Sequence, residues 1–342
     1  MPRLVVLTIL LTATGASLEE AKGQLTSNYL FEGNGNWSLD GAAVGRNVQI
    51  QVPLGSTVQK AFLYVSASNG LPSPPGVTPQ VSLGGQMYGP ANFQPLPFIP
   101  FPPYANGLEA FRADVTSQIG TLVGGGSPTL FDVPVDSATL AASQVDGVLL
   151  AVIYSNSNEL SREIVLSDGG SIGTQFAVDL NQPVNSATPG FQALFSVGIG
   201  YSANVSDQRT TISLNNRLLT AGAGGSDDGD GFGYGYLITV GGIGDDPTNP
   251  ADPSLVNNAN VTDDEYYNLA LGNAVDPTPF ITNGQQHLSF STVNIGSNDN
   301  LFFAGLNIVV PEPNSISLAV ILFSLGASRR SFAAQIRRQR RS

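Results

Sequence analysis

Between residues 24 and 310 the apolar positions come in short runs, many alternating with polar residues, and Gly, Asn, Asp, Pro or Ser separates one run from the next. Alternation with a period of two puts one set of side chains on each face of an extended strand, and the separators are turn formers. The pattern predicts strands at 48–52, 58–66, 80–83, 110–116, 129–133, 147–155, 162–166, 174–180, 192–201, 210–214, 234–240, 265–271, 287–293 and 301–309. No stretch repeats apolar residues convincingly at the 3.6-residue period of an amphipathic helix. The expected fold is therefore all-β, a β-sandwich or jelly-roll.

Four runs of the first half, 58–66, 81–88, 109–116 and 146–155, have counterparts in the same order at 191–202, 212–219, 264–271 and 299–308. Taken as an internal repeat, they predict two tandem sandwiches, residues 24–184 and residues 185–309, with Asn185-Ser186-Ala187-Thr188-Pro189 as the linker and the acidic loops in the second. Taken as chemistry common to any strands, they leave one larger β-domain. Segment 71–103 holds ten prolines. Proline cannot donate to a ladder, so this segment is excluded from central strands; it should run as an extended surface loop, packing Phe93, Phe98, Phe101 and Tyr104 over one end of a sheet.

The two ends read differently from the middle. Met1-Pro2-Arg3, an apolar stretch at 4–11 and small residues at Ala13, Gly15, Ala16, Ala21 and Gly23 predict a secretory signal peptide over residues 1–23, cut after Ala16 or Gly23. At the other end Val310-Pro311-Glu312-Pro313 precedes an apolar run at 316–327 and a basic cluster of Arg329, Arg330, Arg337, Arg338, Arg340 and Arg341. The prolines remove backbone donors and hold the chain extended, a form that a processing enzyme can grip. Twelve residues make about 18 Å of helix against about 30 Å of hydrocarbon. Transient presentation to a membrane protease fits that length better than a permanent anchor, with the arginines holding their end cytoplasmic.

This order of parts resembles the PEP-CTERM sorting signal of envelope-bearing bacteria. The resemblance implies that residues 310–342 are a sorting tail with a short hydrophobic helix, and that Val310, Pro311, Glu312 and Pro313 form the motif met by an exosortase-type processing enzyme. It also implies membrane contact through the tail before processing, and export to the cell-envelope surface or the extracellular space. The elements Ala61-Phe62-Leu63-Tyr64, Asp114-Val115-Thr116, 147–154, 162–169 and the later Asp263-Asp264-Glu265 are similar to uncharacterised β-rich ectodomains of bacterial surface proteins, a group that supplies no catalytic residues.

Charge narrows the partners. Residues 24–310 carry six basic and 23 acidic side chains, a net charge of −17, which repels nucleic acid and anionic lipid. The chain has no cysteine, so an exported fold rests on core burial and backbone pairing without disulfides. Nine of the acids fall within residues 227–265, where there is no Lys, Arg or His. Crowded carboxylates repel one another, and a hard divalent cation with oxygen ligands relieves the repulsion. Calcium is the expected ion, with Asp227, Asp228, Asp230, Asp245, Asp246, Asp263, Asp264 and Glu265 as candidate ligands and Asp228, Asp230 and Asp264 the first to test; the same residues also read as solvated acidic turns. No organic cofactor is implied.

Signals for catalysis are weak. The Gly229-x-Gly231-x-Gly233-x-Gly235 run has neither the strand-to-helix frame nor the lysine of a phosphate cradle. The single His287 alternates with Leu288 and Phe290, which places it on the solvent side of a strand. The expectation is a non-catalytic cell-surface or extracellular-matrix protein, adhesive toward extracellular polysaccharide or other surface proteins through its loops. The alternative is a polysaccharide-binding or polysaccharide-cleaving sandwich module, for which Trp37 is the one tryptophan available to stack on a sugar.

Overall fold

The computed structural model describes residues 24–68, 79–97, 99–101, 106–124, 130–137, 145–171, 173, 175–202, 209–224, 228, 238–255, 265–296 and 299–311. The predicted signal peptide, and the sorting tail beyond Pro311, lie outside them. In chain order the described elements are β1 (Thr26–Ala42), β2 (Asn47–Gln51), β3 (Thr57–Ser68), β4 (Val81–Leu83), β5 (Gln86–Tyr88), β6 (Phe93–Pro95), β7 (Ile99–Phe101), β8 (Asn106–Asp114), α1 (Thr116–Gly124), β9 (Leu130–Ser137), β10 (Val145–Ser155), β11 (Ser161–Asp168), β12 (Gln175–Asp179), β13 (Ala193–Gly200), β14 (Thr210–Leu214), β15 (Arg217–Ala223), β16 (Thr239–Val240), β17 (Tyr266–Asn268), β18 (His287–Asn294) and β19 (Asn300–Val309). The fold is all-β, built from antiparallel sheets, as the alternation predicts.

Strand β1 is the longest element, and the sequence pattern did not predict it. Its Gly- and Asn-rich middle, Glu32-Gly33-Asn34-Gly35-Asn36, reads as a loop. In the structure its first half pairs with β11, Thr26 opposite Asp168 through Asn34 opposite Ser161, and its second half pairs with β10, Gly35 opposite Ser155 through Ala42 opposite Val148. A straight strand of 17 residues would span roughly 55 Å. Yet Asn28 Nδ2, near its start, donates to the hydroxyl of Tyr64 at 3.3 Å, and Tyr64 sits on β3, opposite Leu149 of the strand that pairs with the far half of β1. The strand therefore folds back at Gly33–Gly35. A Cβ at Gly35 would meet the carbonyl oxygen of Tyr154 and lie 2.8 Å from the Phe31 ring, and Gly33 has φ +143°.

One hydrogen-bonded path, β16-β13-β19-β11-β1-β10-β3-β8-β6, runs through this corner, with β17 on β13 and β7 on β8. Two four-stranded sheets, β12-β18-β14-β15 and β2-β9-β4-β5, complete the description. Three apolar clusters join them. Phe195, Val197 and Leu306 share a cluster with Phe176, Ile212, Leu288 and Phe290 of the first small sheet. Leu63, Val65, Val148 and Leu150 share another with Val48, Ile50, Leu83 and Val133 of the second. The third gathers the opposite faces, Trp37, Leu39, Tyr64, Leu149, Ile153, Ile164, Phe302 and Phe303. Strands β11, β13 and β19 are consequently buried at every position. Two-sided burial explains why β10, β13 and β19 carry near-continuous apolar runs where a half-exposed strand would alternate.

The ladders cross residue 184. Strand β11 pairs with β19, and β12 pairs with β18, so segments 24–184 and 185–309 share sheets. Within 71–103 the described strands β4 to β7 have three residues each. Phe93 is buried there and packs edge-on against Phe111, the ring centroids 6.3 Å apart. Helix α1 was not expected. Its two glycines and four β-branched residues lower helix propensity, and Ile119 is its one buried residue. Its start is specified by Asp114, whose Oδ1 accepts the Thr116 N–H at 3.0 Å and the Thr116 hydroxyl at 2.6 Å.

Gly35→Val is expected to destabilise the fold by about 4 kcal/mol or more, in the range reserved for strained backbone and core overpacking. Gly45→Ala, at φ +79° with nothing within 4 Å of the added Cβ, should cost only about 1 kcal/mol. Urea titration of the two variants checks the difference.

Candidate functional site

Strand β19 ends at the same pole as the β1 corner. Val309 lies opposite Arg162, and the N–H of Val310 donates to the carbonyl of Ser161 at 2.9 Å. Val310 is still buried, and Pro311 is the last described residue; Glu312, Pro313 and the six C-terminal arginines lie outside the described residues. Under this exit sits a polar network. The buried Arg162 guanidinium donates to Asn307 Oδ1 at 3.0 Å and to Gln192 Oε1 at 3.2 Å. Asn307 Nδ2 donates to Asn36 Oδ1 at 2.8 Å, and Asn36 Nδ2 to Glu159 Oε2 at 3.4 Å. Burial pulls the Arg162 pKa down while the Glu159 charge opposes that shift. The network ties the corner of β1, the β10–β11 turn and the end of β19 together.

Four of the eight predicted calcium ligands are described. Asp228 Oδ2 accepts the Val240 N–H at 2.6 Å, and its carbonyl accepts the Ala43 N–H at 3.1 Å. Asp245 Oδ2 accepts the Gly242 N–H at 2.7 Å within its own turn, and the Asp246 carbonyl accepts the Thr248 N–H at 2.6 Å. Glu265 is fully buried, its Oε1 accepting the Gly224 N–H at 2.9 Å and its carbonyl the Val197 N–H at 3.1 Å. Asp228, Asp245 and Glu265 thus fasten connecting segments to strand backbone with their carboxylates. Among the described residues no three His, Cys, Asp or Glu side chains converge to hold a metal. Asp227, Asp230, Asp263 and Asp264 lie outside the described residues.

Two carboxylic acids outside that set are strongly perturbed. Asp146, fully buried on β10, accepts the Ser66 hydroxyl at 3.2 Å and a backbone N–H from Tyr201. Burial pushes its carboxyl up to about 7 against these two bonds. Tyr201 takes a left-handed φ of 65°, and a Cβ on the preceding Gly200 would collide with the Ser66 hydroxyl. Asp40 on β1 is also raised to about 7 by burial, with backbone bonds from Gln49 and Gly41 opposing and the Asp132 charge adding to the rise. The signal that could have found both is an acid embedded in an apolar strand run.

Helix α1 and the β4–β5 hairpin enclose a pocket of about 540 Å³ lined by Gln86, Tyr88, Asn92, Asp114, Ser117, Gln118 and Thr121, with the Gly84-Gly85 turn at its rim. Gln118 is held at both ends, its Oε1 accepting from Tyr88 Oη and its Nε2 donating to the Leu83 carbonyl, each at 2.5 Å. Burial raises the Asp114 carboxyl, but the Lys60 ammonium at 2.6 Å and the two Thr116 donors outweigh it and hold the group below the usual carboxylate range. Sequence reading missed this site because it missed α1; the Asp114-Val115-Thr116 cap ahead of Ile119, Leu122 and Val123 was its signal.

His287 lies on the solvent side of β18, as expected, with Nδ1 2.6 Å from Asp179 Oδ1 on β12. Trp37 does not serve as a sugar platform. It is buried among Leu39, Tyr64 and Phe303, its indole N–H donating to the Tyr266 hydroxyl at 3.4 Å. Among the described residues no helix is long and apolar enough to cross a membrane.

A carboxyl whose folded pKa is raised from 3.8 to about 7 contributes stability that is complete below about pH 4 and lost as pH rises through about 7. The melting temperature is therefore expected to fall between about pH 4 and about pH 7, with a shallower slope in Asp146→Asn, as read by calorimetry. Asp228→Ala should cost about 1–3 kcal/mol by stripping the buried Val240 N–H of its acceptor, and denaturant titration with a chelator present should return the same loss.

Compared with known proteins, the chain matches no family model, no curated protein and no solved structure.

Proposed function

We propose that this chain is an exported, non-catalytic protein of a bacterial cell surface or extracellular matrix, sorted through its C-terminal tail and trimmed there by an exosortase-type enzyme. The observation that carries the reading is the coincidence of two boundaries. Among the described residues the last buried apolar side chain is Val310, with its N–H bonded to Ser161, and the proline-flanked glutamate begins one residue later.

The polarity of the molecule supports the same reading. Val310 leaves at the pole of the β1 corner. The opposite pole carries the far strand ends, Ser68, Val145, Gly200 and Asn300. Strand β19, ten residues long, separates the poles by roughly 30 Å. A tail held at the envelope would turn the opposite pole outward, toward polysaccharide or neighbouring surface proteins. In this reading the long path, divided at the β1 corner, and the two four-stranded sheets form two β-sandwiches that abut through the halves of β1, and residues 1–23 are the export signal.

Mass-spectrometric mapping of the C-terminus of the protein taken from its native envelope tests the proposal. The expected result is peptides ending near Pro311 or Glu312 with the arginine cluster absent; recovery of the tail through Arg341 would overturn it. A chain ending at Pro311 should match the stability of the longer one to within about 0.5 kcal/mol, whereas removing Val309 and Val310 as well should cost about 2 kcal/mol or more in lost burial and strand pairing.

A further inference from the structure

The pocket between α1 and the β4–β5 hairpin has no part in sorting, and its chemistry is specific enough to name a ligand class. We infer that it binds a neutral polyhydroxyl ligand, one or two sugar units of a glycan. At about 540 Å³ it falls within the roughly 300–1,000 Å³ of small-molecule sites.

Its wall is mostly amide and hydroxyl: Gln86, Asn92 and Gln118, with Ser117, Thr121 and Tyr88. These groups donate and accept alike, the match needed for sugar hydroxyls, which also do both. Gln86 and Ser117 are exposed and make no side-chain hydrogen bond among the described residues, so their capacity is available to a ligand. Gln118 and Tyr88 are already oriented by each other and by Leu83. A wall fixed before binding lowers the ordering cost that weakens most polar sites.

Charge removes the competing ligand classes. Asp114 is the one charged side chain in the lining, and it stays ionised because Lys60 and Thr116 favour the carboxylate. It caps α1 as well, so the helix N-terminus offers no anion site, and an acidic ligand would meet a carboxylate. A cation gains little, since Lys60 already lies 2.6 Å from Asp114 Oδ2. The remaining carboxylate lone pairs can still accept from sugar hydroxyls, which bind well to an ionised acceptor. Val115 and Leu122 supply a small apolar floor for the C–H face of a ring. The Gly84-Gly85 turn, at φ +55° and +80°, keeps its rim free of side chains.

The test uses the whole chain with neutral oligomers of glucose, galactose, mannose and N-acetylglucosamine, and with galacturonate oligomers as the acidic counterpart. Saturation-transfer NMR finds binders, and calorimetry measures them. At least one neutral series is expected to bind and the galacturonates to fail. Thr121→Trp, at an exposed helix position, should block the mouth and weaken binding about tenfold or more with the melting temperature unchanged; Gln86→Ala and Ser117→Ala should each weaken it about threefold. The inference is overturned if no neutral series binds, if binding survives Thr121→Trp, or if galacturonate binds equally well. Neither result bears on tail processing, which rests on the other observations above.

Discussion

The fold depends on a single strand serving two sheets. Because β1 pairs with β11 before Gly33–Gly35 and with β10 after it, the two central sheets cannot separate without breaking a ladder. Their facing sides are therefore held at close range, and small residues sit where backbones and side chains approach. A Cβ on Gly198 would lie 2.7 Å from Leu149, and one on Gly305 would lie 2.7 Å from Trp37. The apolar cluster between these faces is the consequence of the corner, since neither sheet alone would bury Trp37, Tyr64 and Phe303 together.

Polar groups trapped by this arrangement are paired across it. Arg112 on β8 donates to Asp168 on β11 at 2.5 Å, and Asn28 on β1 reaches Tyr64 on β3. Burial raises the Asp168 carboxyl by more than the Arg112 charge and hydrogen bond pull it back, so desolvation outweighs attraction at this pair. Such a pair adds little net stability over a well-packed apolar one. Its larger effect is on register, because a one-residue slip of either strand would leave both charges buried alone. Asp146, with a hydroxyl and a backbone N–H for partners, is the opposite case, and its environment favours the neutral form.

The sequence was legible where burial is simple. Runs such as 147–155 and 301–309 announce themselves because both faces are apolar, and 287–293 because one face is. It was not legible where local preference and tertiary demand conflict. The glycines of β1 argue for a loop in isolation, and only the need to pass a strand around a corner makes them strand residues. Helix α1 lacks propensity and a broad apolar face, so its cap was its one local signal. The acidic stretch at 227–265 was conspicuous, but charge density does not report direction. Asp228, Asp245 and Glu265 turn their carboxylates to nearby backbone N–H groups, a use that composition cannot distinguish from metal binding.

The exit of the chain also bears on mechanics. Strand β19 is central, paired along its length with β11 on one side and β13 on the other. A tail held at an envelope and a load applied at the opposite pole would pull along the strand axis. Both ladders would then be sheared together, with many hydrogen bonds loaded in parallel, where an edge strand would be peeled one pair at a time. The Arg162, Asn307, Asn36 and Gln192 network lies at the end where that load enters. Its bonds run between strands, across the pulling direction, so it resists the splaying that would turn shear into peeling.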